Sequence, residues 1–145
     1  MKQDPIDPAL RPLVDAAKAA RHNAHAPYSN YRVGAAVRSE SGRIYAGCNV
    51  ENASYGATLC AERNAIAQMV AAGERQVTAC AVVTQGPEPG TPCGICRQVL
   101  IEFADDAPVA LVAATDAGEK VRCTTLAALL PQPFVLRTAK GDAPP

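Results

Sequence analysis

The chain has 145 residues, 14 acidic against 14 basic side chains and 48% hydrophobic residues, and is expected to form a single domain over residues 1–145 with its core at about 10–136. A formal net charge of zero with Lys and Arg scattered argues against a phosphate-tracking surface, so no nucleic-acid partner is expected. No segment comes near the roughly 18 apolar residues of a spanning helix, and no apolar run follows residues 1–5, so neither a membrane segment nor a secretory signal is expected.

Residues 5–12 read as a lead-in. From Leu10 onward the apolar positions Leu10, Leu13, Val14, Ala17 and Ala20 follow helical spacing, with Asp7 or Pro8 as the start. Pro27 disfavours helical geometry in the residue before it, so this helix is expected to end between His22 and Ala26. His22 and His25 flank that end and read as solvent-facing or capping. A turn at residues 27–30 leads to a strand over 31–39, Ser41-Gly42 makes a hairpin, and 44–50 returns antiparallel. Gly34 and Ala36 leave one face of the first strand nearly bare, which a packed helix would cover.

Residues 49–57 form a polar loop. A helix over 59–72 follows, with Thr58 as its cap and Gly73 closing it. Residues 77–84 make a largely apolar interior strand. The Pro/Gly loop 86–92 enters a second helix at 93–103, and 108–114 is another apolar strand. Asp116-Ala117-Gly118 turns into a short strand at 120–123. Thr124 or Thr125 then caps a short helix ending at Leu130, residues 131–136 cross back, and 140–145 are expected to be disordered. The order defines an α/β layer sandwich.

The chemistry gathers in two short stretches, Cys60-Ala61-Glu62-Arg63 and Pro92-Cys93-Gly94-Ile95-Cys96-Arg97. Cys93 and Cys96 share one face at a helix start, where unpaired N–H groups and the helix dipole favour thiolates. Convergence with Cys60 would give three thiolates able to hold zinc with one position left for water. Glu62 then sits as a proton carrier rather than a fourth ligand. Arg63 and Arg97 offset part of the net negative charge. Three plainer readings stand beside this one: a structural zinc site with Cys48 or Cys80 as fourth ligand, a redox CxxC pair, or buried inert cysteines. Cys48, Cys80 and Cys123 are read as inert and buried. Six cysteines including a CxxC, with no signal, suggest a cytoplasmic, reducing setting.

Those stretches fit the zinc-deaminase signature. Together with Ala26-Pro27-Tyr28-Ser29, Val33-Gly34-Ala35-Ala36 and the segment from Gly47 to Tyr55, they resemble the small homotetrameric zinc-dependent cytidine deaminases over about residues 10–134. The resemblance implies a three-layer α/β/α sandwich with a mixed five-stranded sheet. It also implies one Zn²⁺ per subunit on Cys60, Cys93 and Cys96, Glu62 as the proton shuttle and Arg63 as support for the thiolates. Asn49 and Glu51 match residues that hold the ribose, and Ala61 offers its backbone N–H to the pyrimidine carbonyl. Tyr55 and Phe134 match residues lent to a neighbouring subunit's site in a homotetramer. Read alone, Asn49 and Glu51 equally suit a turn that caps its own backbone, and Phe134 a core plug. Tyr31 stands where the family usually has a phenylalanine against the substrate, and its hydroxyl narrows the pocket.

The expected activity is hydrolytic deamination of free cytidine and deoxycytidine, a step of pyrimidine salvage. The alternatives are a deaminase of another small aminated heterocycle or nucleoside, such as a modified cytidine or a blasticidin S-like compound, and a non-catalytic structural zinc or binding module.

Overall fold

The computed structural model describes residues 3–136; the expected disordered segment 140–145 lies outside them. The elements run α1 (Arg11–Arg21), β1 (Gly34–Ser39), β2 (Ile44–Cys48), α2 (Ala61–Ala71), β3 (Val77–Gln85), α3 (Gly94–Glu102), β4 (Pro108–Thr115), β5 (Gly118–Thr125) and α4 (Leu126–Leu129). A 3-10 turn at Pro8–Leu10 precedes α1, with Asp7 accepting a hydrogen bond from the Ala9 amide.

One five-stranded sheet, in the order β2-β1-β3-β4-β5, forms the middle layer. Only β3 and β4 run parallel, joined through α3, and the other neighbours are antiparallel, so the sheet is mixed as expected. Leu13, Val14 and Ala17 of α1 pack on Ala36, Ala81, Val83 and Val112 on one face. Ala65, Ile66, Met69, Leu100 and Leu126 of α2, α3 and α4 pack on Val37, Val82, Val109 and Leu111 on the other. The result is the three-layer α/β/α sandwich.

Two glycines set how closely the helices approach. The bare face expected at Gly34 lies against α1: a Cβ there would come within 1.9 Å of the Ala17 carbonyl oxygen. Gly47 does the same for the start of α2, where an added Cβ would lie 2.6 Å from the Ala65 nitrogen and 2.8 Å from the Ala61 oxygen. Both obstacles are backbone, which cannot swing aside. Gly47→Ala is therefore expected to destabilise the fold by about 1–3 kcal/mol, the usual cost of overpacking. A urea midpoint equal to that of the parent protein would show that α2 has room to move.

Several boundaries differ from expectation. The first strand begins at Gly34, not Tyr31. The Asn49 side chain takes the Val33 amide at 2.9 Å and gives a hydrogen bond to the Tyr31 carbonyl at 2.8 Å, replacing ladder partners. α2 starts at Ala61 with Cys60 at its cap position, and Thr58 does not cap it. Thr58 Oγ1 accepts from the Asn52 amide, while Leu59 forms a two-way backbone bridge with Val50. β5 is longer than expected, because it pairs with β4 along its whole length. Thr125 does cap α4, accepting from the Ala128 amide at 3.1 Å.

The cysteines expected to be inert also divide. Cys80 is fully buried, Cys48 is half-buried and Cys123 is exposed. Cys123 lies on β5, an edge strand, where its amide donates to the Asp4 carboxylate at 2.9 Å instead of to a further strand. His22 and His25 are exposed, and His22 follows the last turn of α1.

Candidate metal centre and substrate cleft

The starts of α2 and α3 come together. Cys60 and Cys93 occupy the cap positions of the two helices, and Cys96 lies in the first turn of α3. Their three sulfurs lie within 4.8 Å of one another, with Cys60 and Cys93 3.9 Å apart. A tetrahedral zinc about 2.3 Å from each sulfur holds them about 3.8 Å apart, so the spacing fits the ion. Neither Cys48 nor Cys80 joins the cluster among the described residues, which removes the fourth sulfur that a closed site needs.

Charge is arranged to match. Hydrogen bonding with Cys96, together with Arg63, holds the Cys60 thiol well below its ordinary range. The same partnership pushes the Cys96 thiol upward, with burial adding to it. Arg63 Nη2 donates to the Thr58 carbonyl at 3.1 Å and lies 3.9 Å from Cys60 Sγ. Its Nε is the one buried side-chain nitrogen or oxygen without a hydrogen-bond partner among the described residues. A guanidinium held this way suits a centre whose three thiolates exceed the charge of a divalent ion.

Arg97 does something else. Its Nε donates to the Pro92 carbonyl at 2.8 Å and its Nη1 to the Leu129 carbonyl at 2.7 Å. It ties the CxxC loop to α4 rather than facing the sulfurs.

Glu62 is 4% exposed and lines the cleft that opens onto the sulfurs. Burial pushes its carboxyl above the ordinary range, and negative charge on Cys60 adds to the effect. A carboxyl raised in this way holds a proton more readily than a solvated one, which suits a proton carrier.

The cleft measures about 280 Å³ and is walled by Tyr31, Val33, Asn49, Glu51, Ala61, Val82, Thr84 and Thr91. Its volume falls near the lower end for small-molecule sites, where about 300–1,000 Å³ is usual. Ala61 is fully buried, and as the first residue of α2 its N–H has no partner within the helix. Larger hollows lie elsewhere, including one between Arg75, Phe103 and the segment 133–136, but none contains the sulfur cluster.

Asn49 and Glu51 also line the cleft, and each hydrogen-bonds nearby backbone, as the plainer reading of the sequence expects. Glu51 accepts from the amides of Tyr28 at 2.9 Å and Ser29 at 3.1 Å, and from the Ser29 hydroxyl. The Ser29 hydrogen bond is the main reason its carboxyl is held below the usual range. Both side chains brace the 28–33 loop and also face the cleft. The sequence assigns no role in the cleft to Ser29, Thr84, Thr91 or Gly90. The first three are small polar residues in a turn, a strand and a loop, and nothing local marks them as cleft residues.

Tyr55 and Phe134 do not reach this cleft in their own chain. Tyr55 is 77% exposed and makes an edge-on contact with Tyr28, ring centres 6.0 Å apart. Phe134 is 71% exposed rather than a core plug. Its backbone is clamped to α3, because Gln98 donates to its carbonyl at 2.8 Å and accepts from its amide at 3.1 Å.

An α/β/α sandwich with an open three-sulfur centre at two helix starts, and a buried glutamate beside it, defines a zinc hydrolase of the deaminase class. The cytidine and deoxycytidylate deaminase zinc-binding region matches residues 9–112, and the chain belongs to that family. A cytidine deaminase of Sporosarcina psychrophila is 46% identical over 123 residues, which is 84% of this chain and 88% of the relative. A crystal structure of cytidine deaminase from Burkholderia pseudomallei, 48% identical, superposes with a TM-score of 0.79 and covers 85% of this chain and 97% of its own. The cytidine deaminase structure from Mycobacterium tuberculosis, 36% identical, gives 0.73 over 90% of this chain and all of its own. Cys60, Cys93 and Cys96 are the zinc-binding triad.

Proposed function

We propose that this chain deaminates free cytidine and deoxycytidine by hydrolysis to uridine and deoxyuridine, with release of ammonia. The observation that carries the reading is Glu62, a buried carboxylate that shares a small cleft with the zinc triad. Bound zinc supplies the Lewis acidity that makes water a nucleophile at neutral pH. With zinc held by the three cysteines, Glu62 would take one proton from the attacking water and give it to ring N3, making C4 electrophilic. Once the water oxygen has bonded to C4, Glu62 would take the remaining hydroxyl proton and give it to the amine, so that the C–N bond breaks with ammonia as the leaving group and the C4 carbonyl forms. The Ala61 N–H holds the pyrimidine carbonyl. Asn49 and Glu51 hold the ribose with the hydrogen-bonding capacity that the 28–33 loop leaves free.

The formal net charge of zero supports a free nucleoside over a nucleic acid. Exposed Tyr55 and Phe134 support a homotetramer in which each serves a neighbour's site. All six cysteines are free, and no helix among the described residues is long and apolar enough to cross a membrane; both agree with a cytoplasmic salvage enzyme. The two core clusters lie on the faces of one sheet, which supports a single deaminase domain.

Tyr31 motivates a second reading, with the same chemistry on a different nucleoside, because it lines the cleft with a hydroxyl-bearing ring where the family usually has phenylalanine. Rates on cytidine, deoxycytidine, cytosine, 5-methylcytidine, blasticidin S, guanine and adenosine separate the two. Cytidine and deoxycytidine are expected to exceed the others in kcat/KM by at least about tenfold. A dominant rate on any other compound replaces the proposed substrate.

A further inference from the structure

Gly90 lies in the loop between β3 and α3, three residues before Cys93, and its dihedrals do not call for glycine. The positive-φ glycines among the described residues are Gly42, Gly73, Gly86 and Gly118. What Gly90 supplies is space. A Cβ at this position would lie 2.7 Å from Tyr31 Oη, 3.0 Å from Thr84 Cγ2 and 3.2 Å from Thr84 Oγ1. The first of these distances is one that carbon and oxygen do not share without displacement.

Neither backbone is free to give. The Gly90 amide donates to Thr84 Oγ1 at 3.0 Å, and Thr84 is a buried residue of β3. The Tyr31 amide donates to Ser29 Oγ at 3.0 Å, and its carbonyl accepts from Asn49 at 2.8 Å. The movable part is the Tyr31 ring, which is 41% exposed and forms one wall of the cleft.

The geometry points to Gly90 and Tyr31 as a size-matched pair: the empty side-chain position at 90 houses the tyrosine hydroxyl and thereby sets the ring that walls the nucleoside cleft. This rests on the function proposed above and adds to it a positioning residue outside the cleft lining. A methyl group at 90 displaces the ring and distorts the wall. Removing the hydroxyl makes the methyl group tolerable, so the identity of residue 31 decides what residue 90 is allowed to be.

The test compares the parent protein with Tyr31→Phe, Gly90→Ala and the double variant, reading KM, kcat and zinc content on cytidine. Gly90→Ala is expected to raise KM by about 5–20-fold, with kcat within about threefold and zinc unchanged. In the Tyr31→Phe background the same substitution is expected to change KM by less than about threefold, a coupling that additive effects cannot give. A parent-like KM for Gly90→Ala overturns the pair. So does a penalty that persists in the Tyr31→Phe background, because the Thr84 contact would then carry it. If the parent prefers another nucleoside, the four proteins are compared on that one, and the pair is judged separately from the substrate. A crystal structure of Gly90→Ala supplies a readout that needs no turnover: Tyr31 Oη is expected to have left its place over residue 90, and an unmoved ring overturns the proposal.

Discussion

Glu62→Gln protein is expected to bind zinc at the parent stoichiometry and to deaminate cytidine about 10²–10⁴-fold more slowly, the usual contribution of a positioned proton carrier. Glutamine keeps the shape of a side chain that is 4% exposed, so the surrounding packing survives. It cannot take up a proton and return it. Alanine would remove the carboxylate too, but it would also open a hole in a buried place and mix a packing loss with the chemical one. Kinetics combined with metal analysis separates the two effects. A glutamine variant that works at the parent rate would remove Glu62 from the reaction and leave the triad as a structural site.

The second large effect is expected at Cys96. It is fully buried in the first turn of α3, and Cys96→Ala removes one of three sulfurs that lie within 4.8 Å of one another. With two thiolates left, zinc is expected to be lost on dialysis against chelator, and deamination to fall by more than about 10³-fold. Altering a group that merely supports a metal ligand typically costs about 10–100-fold, and this change removes a ligand. The melting temperature in the presence of zinc should fall as well, because metal that binds only the folded chain adds its binding energy to stability. Cys123→Ala serves as the control: that thiol is exposed, lies on β5 outside the cluster, and its loss should alter neither zinc content nor rate. Full zinc retention by Cys96→Ala would refute the triad.

The zinc triad and the glutamate proposed to work beside it are the easiest to read from the chain. Cys60, Glu62, Cys93 and Cys96 lie within two short stretches, and helical spacing alone puts each pair of side chains at one helix start. The hairpin at Gly42, the apolar interior of β3 and β4, and the Thr125 cap are equally local. Expectation and structure part where a distant partner decides. Residues 31–33 alternate like a strand, yet Asn49 takes their hydrogen bonds from across a loop. Arg97 sits beside two cysteines but answers to Leu129, 32 positions away. Leu59 has a helix former's side chain and is held extended by Val50. Cys123 lies in a strand whose place at the sheet edge only the topology reveals. Periodicity reports an element's own preference and says nothing of which remote group will claim its donors.

The bracing of residues 28–33 by Asn49 and Glu51 has a consequence for recognition. Five hydrogen bonds already fix that loop before any ligand arrives. Restricting the motion of a loop costs free energy whenever it happens, and a loop ordered only by its ligand weakens every encounter by that amount. Here the restriction is imposed once, as the chain folds. A nucleoside then meets a receptor of settled shape, and the same two side chains that would grip its sugar are those that keep the doorway from wandering.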